Sequence, residues 1–164
     1  MSDKAFEQQH GYFLEDICIG MTAVYEKTIT EADVTLFAGV SGDTNPLHLN
    51  EAFASRTRFG RRIVHGMLTT SLWSTLVGTR LPGPGAAYMS QELKFIKPVY
   101  LGDTVTARMT VREINFKKQR VYLDGECHVN ETLVACGRGV AWVPKRSDTS
   151  VIQRNDKADD CPWL

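Results

Sequence analysis

The stretch Met67-Leu68-Thr69-Thr70-Ser71-Leu72-Trp73-Ser74-Thr75-Leu76-Val77-Gly78 contains no charged side chain. A helix that is uncharged on every side is buried on most sides, so this run predicts one central helix around which the rest must pack. Leu81-Pro82-Gly83-Pro84-Gly85 ends it, since prolines and glycines so close together cannot continue a helix. Beyond that break, Ala87 to Phe95, Thr104 to Asn115, Arg120 to Val129 and Leu133 to Val143 alternate in polarity and are joined by short connections, a pattern that predicts antiparallel hairpins. A further strand is expected from Met21 to Ile29, where Thr22, Val24, Glu26 and Thr28 oppose Ala23, Tyr25, Lys27 and Ile29. The expected class is α+β, with one long helix wrapped by a strongly curved antiparallel sheet. Such a sheet leaves an edge or a face needing company, so a homodimer is expected.

With 164 residues and 43% apolar content the chain can bury one good core. We divide it into an N-terminal lead-in (1–20), polar and irregular at first, a single domain (21–144), and a polar tail (145–164) that Trp163 or Leu164 would pin. Nineteen basic residues balance nineteen acidic ones, so no global field recruits nucleic acid or an anionic membrane, and an anionic ligand must be met locally. No apolar run approaches the ~20 residues needed to span a bilayer, and Met1-Ser2-Asp3-Lys4 does not open a secretory or organellar signal. A cytoplasmic enzyme or binding domain fits. Cys18, Cys127, Cys136 and Cys161 are scattered without a C-x-x-C pair, which predicts reduced thiols and neither a zinc site nor a disulfide framework.

The chemistry-bearing residues lie ahead of the central helix. Thr30 with Asp33 three residues on marks a capped helix start, and Val34, Phe37, Ala38 and Val40 fall on roughly one face of the helix it begins. That helix delivers the chain into Ser41-Gly42-Asp43-Thr44-Asn45-Pro46-Leu47-His48, a stiff loop carrying a carboxylate and an imidazole. Gly42 and Pro46 form turns, Asn45 before proline is biased away from helix, and Asp43 can bond its own backbone. One reading is an Asx-turn with His48 merely packed; the other is a site in which Asp43 and His48 are aimed together. Asn50 can cap a short helix through Ala54. Arg56, Arg58, Arg61 and Arg62 follow within seven positions, either a local phosphate-binding cluster or a solvated loop exchanging ion pairs with acids such as Glu51. His65 reads as structural, bonded to backbone, and Ser71 and Ser74 by default bond back to the helix. Gly66 stands at the helix start, where free N–H groups can stabilise an oxyanion.

The run Phe37 to Ala54, with Phe59-Gly60, Ile63-Val64-His65-Gly66-Met67-Leu68, Leu81 to Gly85 and Phe95-Ile96-Lys97-Pro98-Val99-Tyr100-Leu101-Gly102-Asp103, resembles the MaoC-like (R)-specific enoyl-CoA hydratases. The resemblance spans about residues 20–144. It implies a hot-dog fold, a homodimer and reversible hydration of a trans-2-enoyl thioester to the (R)-3-hydroxyacyl thioester, with an acyl-CoA as substrate and no metal or other cofactor. Matched position to position, Asp43 and His48 take the catalytic pair, Gly66 offers the N–H for the thioester oxygen, Asn45 orients the pair and Ser74 lines the pocket. Leu47, Phe53, Phe59, Leu72 and Trp73 are expected to line the acyl site, with the bulk of Trp73 favouring short chains. The arginine cluster would receive the coenzyme A phosphates. A dehydratase acting on acyl-carrier-protein thioesters, a thioesterase and a non-catalytic binding domain are the alternatives; thioesterases of this fold are expected to carry an acid on or near the central helix, and Met67 to Gly78 has none.

Overall fold

In the computed structural model, which describes residues 3–149, the chain opens with helix α1 (Asp3–Gln9), a 3-10 turn (Leu14–Asp16) and strand β1 (Thr22–Thr28). Helices α2 (Glu31–Ser41), α3 (Pro46–Leu49), α4 (Glu51–Ala54) and α5 (Gly66–Thr79) follow. Strands β2 (Ala87–Phe95), β3 (Thr104–Asn115), β4 (Arg120–Val129) and β5 (Thr132–Trp142) come next, and α6 (Arg146–Thr149) ends the described residues. The uncharged stretch is α5, and all five expected strands form. Pinning of the tail by Trp163 or Leu164, and the state of Cys161, lie outside the described residues.

The strands make one antiparallel sheet in the order β1-β3-β4-β5-β2. β3, β4 and β5 are successive hairpins as expected, but β2 pairs with β5 and not with β3. The connection between β2 and β3 cannot turn tightly because its backbone is committed elsewhere. Val64 N–H donates to Val99 O, Ile63 bridges Tyr100, and Ile29 N–H donates to Asp103 O. It thereby crosses from the edge strand β2 to β3, next to the opposite edge, while tethering the segment that leads into α5.

Val105, Ala107, Met109 and Val111 of β3, with Val121, Leu123 and Cys127 of β4, point inward onto Leu72, Trp73, Leu76 and Val77 of α5. Each valine, leucine and methionine among these contributes roughly 1.5–3 kcal/mol by leaving water. Trp73 lies under the sheet where β4 carries Gly125: a Cβ there would sit 2.9 Å from the indole and 2.8 Å from Met109 Sδ, so only glycine admits the ring. The Trp73 indole N–H donates to Glu126 O at 3.1 Å.

The lead-in is more ordered than its polarity suggests. α1 occupies part of it, Phe13, Leu14 and Ile17 are buried, and Gly11 and Tyr12 N–H groups donate to Pro84 O and Pro82 O. Leu14 N–H also donates to Pro144 O, and Arg146 bonds the Asp16 carboxylate at 2.6 Å. Three buried apolar side chains and these bonds strap the segment across the C-terminal end of α5.

Candidate active site

The Thr30 hydroxyl accepts from Asp33 N–H, and Asp33 accepts from Thr30 N–H at 2.9 Å, closing the expected capping box at the start of α2. These bonds to Thr30, aided by Lys27, hold the Asp33 carboxyl at about 2. α2 ends at Gly42, whose φ of 76° is a left-handed conformation that other residues adopt at a cost. There the chain bends away and presents Asp43. The Asx-turn forms as expected, with Asn45 N–H donating to Asp43 Oδ1 at 3.2 Å. Asn45 Oδ1 in turn accepts from Leu47 N–H and caps α3, which has Pro46 at its first position. His48 therefore stands on a short helical turn rather than in a loop, and Asn45 caps that turn.

His48 is 8% exposed, whereas the Asp43 side chain is half open to solvent. His48 Nδ1 lies 2.8 Å from Ile63 O. A carbonyl only accepts, so Nδ1 carries the proton and Nε2 presents a bare lone pair, 3.9 Å from Asp43 Oδ2. That separation is too long for a direct hydrogen bond and suits one water lying about 2.8 Å from each atom. Burial lowers the His48 pKa below its ordinary 6.5, against the opposing pull of the bond to Ile63; the neighbouring His65 also lowers it, and Asp43 raises it.

His48 and Gly66 face a cavity of about 300 Å³. Phe59, Ile63, Val64, Thr69, Phe95, Ile96, Val134 and Ala135 form much of its wall, with Arg58 and Lys97 among the lining residues. Gly66 is the first residue of α5, so its N–H has no acceptor within the helix, and no side chain caps that end. An imidazole and an uncapped helix start thus meet at one hollow, with the Asp43 carboxylate 3.9 Å from that imidazole though not itself on the wall. The arrangement can bind a water between the imidazole and the carboxylate and an oxyanion at the helix start.

Several expected lining residues lie elsewhere. Leu72 and Trp73 belong to the core, because that face of α5 turns toward the sheet. Leu47 and Phe53 do not line the cavity, and Ser74 lies on the exposed stripe of α5 with Met67, Ser71 and Gly78. Ser71 bonds back to Leu68 O as expected. Of the expected acyl-lining set, Phe59 reaches the cavity.

The arginines separate too. Arg62 is held by Glu31 at 2.5 and 2.9 Å and by Glu51 at 3.5 Å, which ties α2 to α4 and removes it from any phosphate site. Arg61 stacks over the Tyr100 ring at 4.0 Å, Arg58 lines the cavity beside Phe59, and Arg56 does not reach it. Lys97, Thr69 and the second imidazole, His65, are the site residues that sequence reasoning missed or set aside. Lys97 lies within the Phe95–Asp103 run that carries the resemblance and Thr69 within the central helix, but nothing in the sequence singles out either side chain for the site. Asp43, His48 and His65 bring donor atoms within 4.8 Å of one another and are the residues that could meet a cation together, although one nitrogen of each ring already faces a backbone carbonyl.

Comparison with known proteins places this geometry. Residues 19–132 match the MaoC like domain. The chain is 44% identical to the 3-hydroxybutyryl-CoA dehydratase of Methylorubrum extorquens, over 83% of this chain and 87% of that protein. It is 48% identical to the (R)-specific enoyl-CoA hydratase of Rhodospirillum rubrum, over 82% of this chain and 94% of that one. Among solved structures, the (R)-hydratase from Aeromonas caviae superposes with a TM-score of 0.77 at 40% identity, covering 79% of this chain and 99% of the other. R-hydratase PhaJ1 from Pseudomonas aeruginosa gives 0.78 at 38% identity, covering 82% and 87%. With the helix-in-sheet architecture of these hot-dog hydratases and a domain match over most of its length, the chain belongs to the MaoC-like domain family.

Proposed function

We propose that this protein is a hydro-lyase that reversibly adds water to trans-2-enoyl-CoA to give (R)-3-hydroxyacyl-CoA, with Asp43 and His48 as its catalytic pair. The observation that carries the reading is the 3.9 Å gap between Asp43 Oδ2 and the bare Nε2 of His48, beside a cavity that also meets the uncapped start of α5. A water in that gap is polarised by two acceptors. Its oxygen attacks C3 of the enoyl group as the pair takes one proton, negative charge moves to the thioester oxygen, and the pair then returns that proton to the α-carbon as the enolate collapses. Gly66 N–H is the donor for the enolate oxygen. Asp43 and His48 share the proton as a coupled pair.

The preference for short acyl chains no longer rests on Trp73. A cavity of about 300 Å³ within one chain supports it, as does the four-carbon substrate in the name of the Methylorubrum relative. Arg58 and Lys97, on the cavity wall, are the cations we assign to the phosphates of coenzyme A. The working unit is a homodimer: β2 leaves one edge unpaired, and α5 exposes the uncharged stripe Met67, Ser71, Ser74. A cytoplasmic setting belongs to the same reading; Cys18, Cys127 and Cys136 are free thiols, and no described helix is long and apolar enough to cross a membrane.

The test follows the loss of absorbance of the conjugated double bond of crotonyl-CoA beside octenoyl-CoA, with product handedness read by a stereospecific dehydrogenase. We expect the (R) product, faster turnover of crotonyl-CoA, and a fall in kcat of about 10²–10⁴-fold in Asp43→Asn and in His48→Ala. Release of free thiol without hydration would reassign the protein as a thioesterase. Inertness toward both would move the substrate to a carrier-protein thioester.

A further inference from the structure

Two imidazoles are buried side by side, and the mechanism above uses one of them. His65 is 1% exposed, its ring centroid lies 3.8 Å from that of His48 at 33°, and Phe37 closes on it at 5.1 Å. It occupies the N-cap position of α5, yet its side chain makes no capping bond to that helix. Instead its Nε2 lies 3.0 Å from the carbonyl oxygen of Asp43. A carbonyl only accepts, so Nε2 carries the proton. The two bonds are crossed: His48, on the short helix that follows the Asp43 turn, donates to Ile63 just ahead of His65, and His65 donates back to Asp43.

The loop needs such a tie. Thr44 N–H bonds Gly42 O, Asp43 N–H bonds Ser41 Oγ, and Asn45 N–H bonds Asp43 Oδ1, all within the loop itself. Among the described residues, the hydrogen bond that joins Asp43 to a distant part of the chain is the one from His65. Packing alone does not call for an imidazole here, since His65 Nδ1 is buried without a partner and a phenyl ring would fill the space between Phe37 and His48 with no such nitrogen.

We infer that His65 is a positioning residue of the proposed hydration: by anchoring the backbone oxygen of Asp43 it sets the carboxylate at one-water spacing from His48. The inference rests on the functional reading above. Small displacements of a reacting group carry large rate penalties, about 10²-fold for roughly 1 Å, so loss of the anchor should reach kcat before KM.

His65→Phe keeps the ring and removes the donor, while His65→Gln keeps an N–H near the Nε2 position and removes the ring. With crotonyl-CoA, His65→Phe is expected to lower kcat about 100-fold with KM within about threefold, and His65→Gln to keep kcat within about tenfold of wild type. Added to Asp43→Asn, His65→Phe should cost nothing further, because it acts through the carboxylate already removed. Wild-type kcat in His65→Phe, or losses that multiply in the double variant, would overturn the assignment. Should His65→Phe not fold, Gln against Asn decides the same point: Asn ends one methylene short of the carbonyl, so equal activity of the two overturns it. Failure of the functional reading itself looks different, since wild type would then not hydrate crotonyl-CoA or Asp43→Asn would leave kcat intact.

Discussion

At the C-terminal end of α5, Leu76 O accepts from Arg80 and Leu81 N–H, Val77 O accepts from Gly83 N–H, and the 11–17 strap covers the turn that follows. At the other end no side chain caps the helix and Gly66 opens on the cavity. One helix thus has a sealed terminus and an unsealed one, on opposite sides of a single core. The contrast separates two uses of the same backbone groups. Where terminal carbonyls find partners, as Leu76 O and Val77 O do, the terminus contributes stability; where amides are left over, it is available to a ligand's developing negative charge. The chain caps a helix start elsewhere, at Thr30, so the bare end at Gly66 is not a general shortage of capping residues.

Variants that test this contrast should move stability at one end and rate at the other. The largest effect is expected from Leu14→Ala in the strap, where Leu14 is fully buried: a loss of about 3 kcal/mol in denaturant unfolding, with kcat per folded molecule unchanged. Gly66→Ala should do the reverse. The added methyl would sit 2.6 Å from the Phe95 ring and drive that ring into the cavity, so kcat/KM should fall about tenfold while the melting midpoint holds or rises, alanine being the better helix former. The smallest effect is in pH. Because the folded His48 pKa lies below 6.5, its neutral form persists under that pH, and the acid limb of kcat/KM should fall below 6.5. The unfolded chain takes up this proton first, so the stability His48 contributes is present above about 6.5 and drains away as pH falls through the lowered value.

How much of this was legible in the sequence depended on whether a pattern had a period. Alternation in β3 to β5, the capping box at Thr30 and the absence of charge in Met67 to Gly78 located elements to within a residue or so. The same absence of charge concealed direction: hydroxyl side chains occur on both the buried side of α5, at Thr69 and Thr70, and the exposed side, at Ser71 and Ser74, so no charged face shows which side meets the sheet, and Trp73 packs in the core instead of the expected acyl site. Asp43 and His48 were readable because turn formers bracket them. His65 is bonded to backbone as expected, but its acceptor Asp43 lies 22 residues back, and Lys97 reaches the cavity from beyond α5; spacing carries no record of either. For Arg62 the ion-pair alternative holds, with Glu51 as the partner that sequence proximity offers and Glu31, thirty-one residues away on another helix, as the one it does not.

The sheet order has a consequence for how the protein is made. β1 has its partner in β3, and the contact between Thr28 and Thr104, 76 positions apart, closes a stretch that contains α2, the Asp43–His48 turn, His65 and all of α5. Until β3 has left the ribosome, the first strand has nothing to pair with and the segment between them has no sheet to rest on. The proposed catalytic residues are therefore synthesised in the first half of the chain and fixed in place only by its second half.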